Sequence, residues 1–315
     1  MIDIFSTLSL LCLIPIICGS VFSIITVFTT KYFLKNSHIS KGFTPPVSIL
    51  KPVKGLEKNL ENNLKSIAKQ NYPNYQIIYS VQDLEDPAYP ILKKIQSELG
   101  EDLVSIVISA IEEGANGKVN NLLGAIDKAN YEFLIISDSD TYLRDNYISN
   151  IIAPFMEEEV GCVCTPFKLI KANNFFEKLE MLTINSDFIP SVIFAYVTKA
   201  SNSCLGPSIA IQKSTLESFG GLKSLANYLV EDYEIGRRVW TSGKKMVLLP
   251  YIIDVVVDLN SWKQWWDHQV YWDQNTYLAR PGAFVSTIFI RAIPFAAILY
   301  ICLLYTSDAA DDMAS

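Results

Sequence analysis

From Ile4 to Thr30 the chain carries no charged side chain, and this run limits the fold more than any other feature. A stretch of that length crosses the ~30 Å hydrocarbon core of a bilayer as one helix. A cleaved signal peptide opens on positive charge and has a shorter apolar centre. Here the first charge is Asp3, and the lysines come afterwards at Lys31, Lys35 and Lys41. Residues 1–32 are therefore expected to form a transmembrane anchor. By the positive-inside rule the chain beyond it faces the cytoplasm, at an inner or plasma membrane. Pro15 inside the run can kink a membrane helix without breaking it.

Beyond the anchor, Thr44-Pro45-Pro46 closes a short polar linker and the pattern alternates. Val47–Lys51, Gln76–Gln82, Leu103–Ile108 and Glu132–Ser137 read as strands, and Leu56–Gln70, Pro87–Leu99 and Val119–Asn130 as helices. Strands that alternate with helices in this way specify an α/β domain with a mostly parallel sheet. No Gly-x-Gly-x-x-Gly follows the first strand and no Walker A sequence is present, which argues against a dinucleotide or P-loop site. A net charge of −7 argues against nucleic acid as a partner. The six cysteines lie mostly in apolar runs with no paired Cys-x-x-Cys, and read as reduced, buried residues.

The chemistry is expected where Phe133-Leu-Ile-Ile136 runs into Ser137-Asp138-Ser139-Asp140. Ligands of open α/β sheets bind outside the carboxyl ends of the strands. Asp138 and Asp140, two residues apart, point to one side if the backbone stays extended. Such a pair suits a hard divalent cation, Mg²⁺ or Mn²⁺, bridging a diphosphate. A solvated turn is the plain alternative.

The ordered motifs resemble a known family. Val47-Ser-Ile-Leu-Lys-Pro-Val-Lys-Gly55, Asn62-Asn-Leu64, Tyr72-Pro73, Val81-Gln-Asp-Leu-Glu-Asp-Pro-Ala88 and Lys118-Val-Asn-Asn-Leu122 are succeeded by Asp138-Ser-Asp140. Ser203-Cys-Leu-Gly-Pro-Ser208, Phe219-Gly-Gly-Leu222 and Val230-Glu-Asp-Tyr233 come next. The series is similar to ceramide glucosyltransferases and the hopanoid-associated glycosyltransferases. The likeness covers roughly residues 45 to 283. It implies a GT-A fold of the inverting family 2 type over residues 45–258. It also implies glycolipid or sphingolipid synthesis, with a hexose, usually glucose, passing from a nucleotide sugar such as UDP-glucose to a ceramide-, hopanoid- or diacylglycerol-like lipid.

By resemblance Asp232 is the general base, and Glu231 beside it is assigned to the acceptor and closure. Taken alone, acids at a helix start are often only dipole partners. Lys51, Pro52, Asp83, Asp86, Lys118 and Asp138 are assigned to the nucleotide, with Asp83 accepting from the uracil imide. Helix capping before Pro87 is the other reading for Asp83 and Asp86. A solvated lysine is the other reading for Lys118.

Trp262-Lys-Gln-Trp-Trp-Asp-His-Gln-Val-Tyr-Trp272 sits in residues 259–283, expected to be an amphipathic interface helix. An aromatic core helix is its alternative. In the family this place holds a Gln- or Arg-x-x-Arg-Trp motif that closes over donor and acceptor. His268, Gln269 and Trp272 fall on it, and Tyr271 stands where the arginine is usual. That exchange removes a fixed positive charge, so a GT-A-shaped protein that binds lipid or nucleotide without turnover stays open. A processive polysaccharide synthase is a further alternative. Residues 284–301 read as the start of a second membrane helix, carrying Arg291. Residues 302–315 resemble the translation of a transposase adapter used in sequencing libraries and are set aside as an artefact. An ordinary polar tail is the alternative, and relatives carry further membrane helices past this point.

Overall fold

The computed structural model describes the backbone of residues 4–35 and 42–314, with side chains for residues 7–35 and 42–304. Asp3 and Lys41, two of the charges that flank the apolar run, lie outside the described residues. That run forms a helix, α1 (Ile4–Lys35). The stretch Thr7–Lys35 is long and apolar enough to cross a membrane.

The first half of the domain is laid down as the alternation specifies. It comprises β1 (Val47–Pro52), α2 (Leu60–Ser66), β2 (Tyr75–Val81), α3 (Tyr89–Leu99), β3 (Val104–Ile108), α4 (Gly117–Ile126) and β4 (Phe133–Ser137). Helix α2 starts later than its apolar stripe implies. Gly55 (φ +69°) and Asn59 (φ +61°) are left-handed and turn the chain before the first helical residue. Helix α4 starts earlier, at Gly117, because Asn116 accepts the Val119 amide on its side chain and caps the helix.

The second half follows with β5 (Thr141–Tyr142), α5 (Tyr147–Ile152), β6 (Val160–Cys164) and β7 (Phe167–Ile170). Then come α6 (Phe175–Thr183), α7 (Ile189–Val197), β8 (Ser208–Gln212), α8 (Lys213–Ser218), α9 (Glu231–Thr241), β9 (Lys245–Leu248) and β10 (Ile253–Val256). Seven strands form one sheet in the order β3-β2-β1-β4-β8-β6-β9. It is mostly parallel, with β8 antiparallel to both β4 and β6. A smaller sheet orders β5-β10-β7. The central strands are buried on both faces, with Ile49, Leu50, Ile77, Ile78, Leu134 and Ile135 fully enclosed, as parallel strands covered by helices require. Pro52 pairs with Ser80, and Leu50 with Ile136. Thus β1, β2 and β4 deliver their carboxyl ends to one edge.

The aromatic segment is helical, α10 (Trp262–Ala279), and stops before Pro281, which opens α11 (Pro281–Ser286). The expected single helix from residue 284 is broken. A 3₁₀ turn, Thr287–Ile290, separates α11 from α12 (Ala292–Ala314), and the two apolar pieces meet at 43°. Pro294 falls in the first turn of α12, where its missing amide is tolerated. The chain divides into two compact units. Lys31–Asp267 is one; the other joins the N-terminal helix up to Thr30 with the chain from His268 onward.

Candidate active site

Strand β4 ends in a turn that is fixed from beneath by a buried lysine. Lys51 comes from the neighbouring parallel strand β1 and is fully enclosed. Its ammonium donates to the Asp138 carbonyl (2.5 Å), to Thr141 Oγ1 (2.9 Å) and, more weakly, to Ser137 Oγ (3.5 Å). Burial lowers its pKa to about 8, against the raising influence of Asp140 and Asp138. The Asp140 carbonyl is held as well, by Asn63 Nδ2 (3.1 Å) and the Val256 amide (3.2 Å). The Asp138 and Asp140 carbonyls of the Asp-Ser-Asp turn are therefore held by neighbouring elements, which leaves the Asp138 carboxylate to meet Lys118.

Lys118, in the first turn of α4, gathers the acids. Its Nζ lies 2.7 Å from Asp138 Oδ1 and 3.0 Å from Glu231 Oε1, and donates to the Gly206 carbonyl at 3.3 Å. Three carboxylates (Asp138, Glu231 and Asp232) hold its pKa well above the ordinary value in spite of burial. Glu231 opens α9, and its other oxygen accepts from Asn116 Nδ2 (3.0 Å). Together these bonds hold its carboxyl below the usual range, although burial acts in the opposite sense. Asp232 follows, accepting the amide of Tyr233 (2.8 Å) on Oδ1. Burial, and then the charge of Glu231, push Asp232 up to about 7, with Lys118 opposing. The loop before β8 comes in close through Gly206, where an added Cβ would lie 3.0 Å from Asp232 Oδ2 and 3.5 Å from Lys118 Nζ. Acids remote in sequence thus share one cleft with a single ammonium between them.

Asp140 carries the observation that bears on a metal. Its Oδ1 is buried without a hydrogen-bond partner. Burial, then Asp138 and Glu57, push its pKa up to about 8, with Lys51 and Lys118 opposing. A buried carboxylate short of positive charge, two residues from a second one, is a donor set that a hard divalent cation satisfies. The residues fit such an ion. Among the described residues no set of three or more metal-binding side chains surrounds one point, so Asp138 and Asp140 would be the protein's own contribution.

The other expected residues take up different positions. Asp86 spends both carboxylate oxygens on the Gly55 amide (3.0 Å each), and Oδ1 also accepts from Ala88 (2.8 Å). It clamps the loop after β2 to the loop after β1. Asp83 is exposed and accepts the Glu85 amide (2.8 Å) on Oδ1, at the same carboxyl edge as Asp138. Pro52 ends β1 at that edge. His268, Gln269 and Trp272 lie on α10 in the other unit, where the Trp272 indole donates to His268 Nε2 (3.1 Å). Three participants were not anticipated. Glu57, exposed as a residue, has its carboxyl raised by partial desolvation while Ser139 donates to it. Asn116 and Gly206 complete the Lys118 cluster. The signal for Asn116 was its place as a cap before an apolar-periodic stretch; Gly206 stood within a family motif; nothing local marked Glu57.

With this geometry established, comparison with known proteins is decisive for the family. Residues 11–310 match the family model for glycosyl transferase family 21. The chain belongs to that family. It is 23% identical to ceramide glucosyltransferase 3 of Caenorhabditis elegans over 252 residues, 78% of this chain and 54% of the relative. Against ceramide glucosyltransferase 1 of the same organism identity is 27% over 229 residues, 71% of this chain and 48% of the relative. The chain spans about half the length of these curated relatives. Among solved structures, the mannosyltransferase PcManGT from Pyrobaculum calidifontis, in complex with GDP-Man and Mn²⁺, superposes with a TM-score of 0.68. Identity is 16%, covering 96% of this chain and 87% of that one. GalNAc-T7 with UDP, GalNAc and Mn²⁺ gives 0.50 at 16% identity, covering 76% of this chain and 51% of that one. The fold is GT-A.

Proposed function

We propose that the chain is an inverting hexosyltransferase that moves glucose from UDP-glucose to the hydroxyl of a ceramide-like lipid at a membrane surface. The observation that carries this reading is the convergence of Asp138, Lys118, Glu231 and Asp232 on one cleft at the sheet's carboxyl edge. Family membership and the ceramide glucosyltransferase names of the relatives support it. The acceptor oxygen attacks the anomeric carbon from the face opposite the diphosphate. The carbon–diphosphate bond breaks and UDP departs. The hydroxyl proton passes to the Asp232 carboxylate, which a pKa near neutrality suits for this task. Lys118 spans the acids of the donor side and the base, and so fixes their separation. Asp83, at the end of β2, accepts from the uracil, and Lys51 acts on the nucleotide through the turn it holds. A divalent cation, Mg²⁺ or Mn²⁺, held by Asp138 and Asp140 would neutralise the departing diphosphate. His268, Gln269 and Trp272 are assigned to closure over donor and acceptor.

The test is transfer from radiolabelled UDP-glucose by the full chain in membranes supplied with ceramide, hopanoid or diacylglycerol. One labelled glycolipid is expected. A long polymer would favour a processive synthase instead, and donor binding without product a non-catalytic protein. Asp232→Asn is expected to cut turnover roughly 10³-fold with donor binding little changed, and unchanged turnover would remove Asp232 as base. Chelation should abolish transfer and added Mn²⁺ or Mg²⁺ restore it; full activity in excess chelator would remove Asp138 and Asp140 as ligands.

A further inference from the structure

At the far end of α9 from the base lies a second cavity, of about 790 Å³. Asp232 and Trp240 are eight residues apart on this helix, about 12 Å at 1.5 Å per residue, so the cavity is separate from the acid cluster. One wall is the last turn of α1. Tyr32 is 62% exposed there, while Phe33 is buried and packs edge-on against Tyr196 of α7 at 6.1 Å. Trp240, 58% exposed, stands at the rim. The stretch Thr7–Lys35 taken as a helix is about 43 Å long, more than the ~30 Å of hydrocarbon. The turn that lines the cavity therefore emerges at headgroup level.

The charge of this cavity opposes that of the molecule. Lys199, Lys244 and Lys245 line it together with one acid, Glu159, in a chain of net charge −7. Lys245 is satisfied by Glu157 at 2.8 Å and Glu159 at 3.6 Å. The other two are uncompensated. Lys244 Nζ meets only neutral oxygens, Thr215 Oγ1 at 2.8 Å and Gln212 Oε1 at 3.5 Å. The exposed Lys199 side chain makes no hydrogen bond or ion pair among the described residues, and its backbone is held left-handed (φ +60°) at the end of α7.

An aromatic-walled cavity with one free ammonium group and a second that meets only neutral oxygens, opening where a membrane helix ends, has the chemistry of a lipid headgroup site. We propose that it binds one anionic glycerophospholipid, its phosphate between Lys199 and Lys244 and its glycerol end against Tyr32 and Trp240. The proposal rests on the membrane reading of α1 and is independent of sugar transfer. A neutral ceramide offers the two lysines no charge to pair with, which separates this occupant from the acceptor. Binding here would tie the back of α9, and through Asn202 the loop that carries Gly206, to the surface in which the acceptor lies.

The experiment is native mass spectrometry of the full chain released from phosphatidylcholine nanodiscs that contain a minority of phosphatidylglycerol. Phosphatidylglycerol should be retained in preference to phosphatidylcholine. Its retention should fall about 25-fold in Lys199→Glu/Lys244→Glu and about fivefold in Lys199→Glu alone. Lys199→Glu disturbs no side-chain bond of the scaffold, so its melting temperature should be unchanged. Lys93→Glu makes the same charge change on the exposed face of α3 and should retain the lipid. Equal retention by the double variant and by Lys93→Glu would overturn the proposal, as would equal retention of the two lipids. Displacement by added ceramide would make the cavity the acceptor's and would overturn it too, and so would retention of free glycerol phosphate as strong as that of the lipid. Because retention is read without turnover, a chain that holds the lipid yet transfers no sugar would leave this site standing and refute the transferase alone.

Discussion

Lys118 sets the behaviour of the acid cluster, because among the described residues it is the one ammonium in contact with both Asp138 and Glu231. Asp232 at about 7 is a carboxyl whose proton affinity has been raised by burial and by Glu231. Below that pH it is protonated and cannot accept; above it the base form is present. The expected outcome is a kcat/KM that falls as pH drops through about 7. Lys118→Met removes an opposing positive charge, so the acid limb should move to higher pH. It also leaves Glu231 and Asp138 without their cation, which should cost about 2 kcal/mol of stability, discounted because the lysine is about one-quarter exposed. A pH–rate profile and a denaturation curve check both, and an unmoved limb would show that Lys118 does not tune the base. At this scale the sequence was legible where chemistry is local. Two acids at the exit of an apolar strand announced the turn at Asp138. The Glu231 carboxyl, at a helix start, looked like a dipole partner, since its salt bridge comes from a residue more than a hundred positions away. Glu57 was invisible for a similar reason: its neighbours Ser139 and Asp138 are supplied by the fold.

Helix α9 holds Asp232, the proposed base, only as firmly as it is docked, and it docks through a glycine. A Cβ at Gly236 would meet the Cys204 amide nitrogen at 2.8 Å and the Asn202 carbonyl at 2.9 Å, both backbone atoms that cannot swing aside. Glycine inside a helix ordinarily costs up to about 1 kcal/mol against alanine. Here the clash reverses the sign, because overpacking against fixed backbone costs roughly 1–3 kcal/mol. Gly236→Ala should therefore destabilise the chain by about 1–2 kcal/mol and reduce transfer further than stability explains, since the loop it displaces carries Gly206. Calorimetry alongside kcat checks this, and a stabilised Gly236→Ala would refute the docking argument. The elements themselves were readable as far as β4, where strand and helix periods alternate cleanly. Past that point strands shorten to between two and five residues, too short for a period to show. The antiparallel insertion of β8 between β4 and β6 is set by tertiary pairing that no local pattern records. The break at Arg291 was not expected either. Residues 284–301 read as one helix, whereas a new one starts at Ala292, with Pro294 in its first turn.

At the scale of the whole molecule, the distribution of charge matters more than its sum. The chain is acidic overall, yet the first charges after the apolar run are basic, Lys31 and Lys35 on the last turns of α1. Those turns belong structurally to the α/β domain, since Lys31–Asp267 is one compact unit and Phe33 packs on Tyr196. Whichever side of the bilayer keeps these lysines also keeps the domain. Positive charge beside a first membrane helix is retained on the cytoplasmic side, and UDP-glucose, the proposed donor, would have to be supplied there. Protease added to intact cells is thus expected to leave the domain whole, whereas permeabilised cells should lose it. The variant Lys31→Glu/Lys35→Glu should raise the fraction cleaved in intact cells. Cleavage of the unaltered chain outside intact cells would place the domain on the opposite face and require a donor on that side. The same experiment tests the length argument for α1. If Thr7–Lys35 is the span that holds the domain at the surface, the protected fragment keeps Tyr32 and Phe33. Trimming between Lys31 and Phe33 would show that the helix ends short of the headgroups.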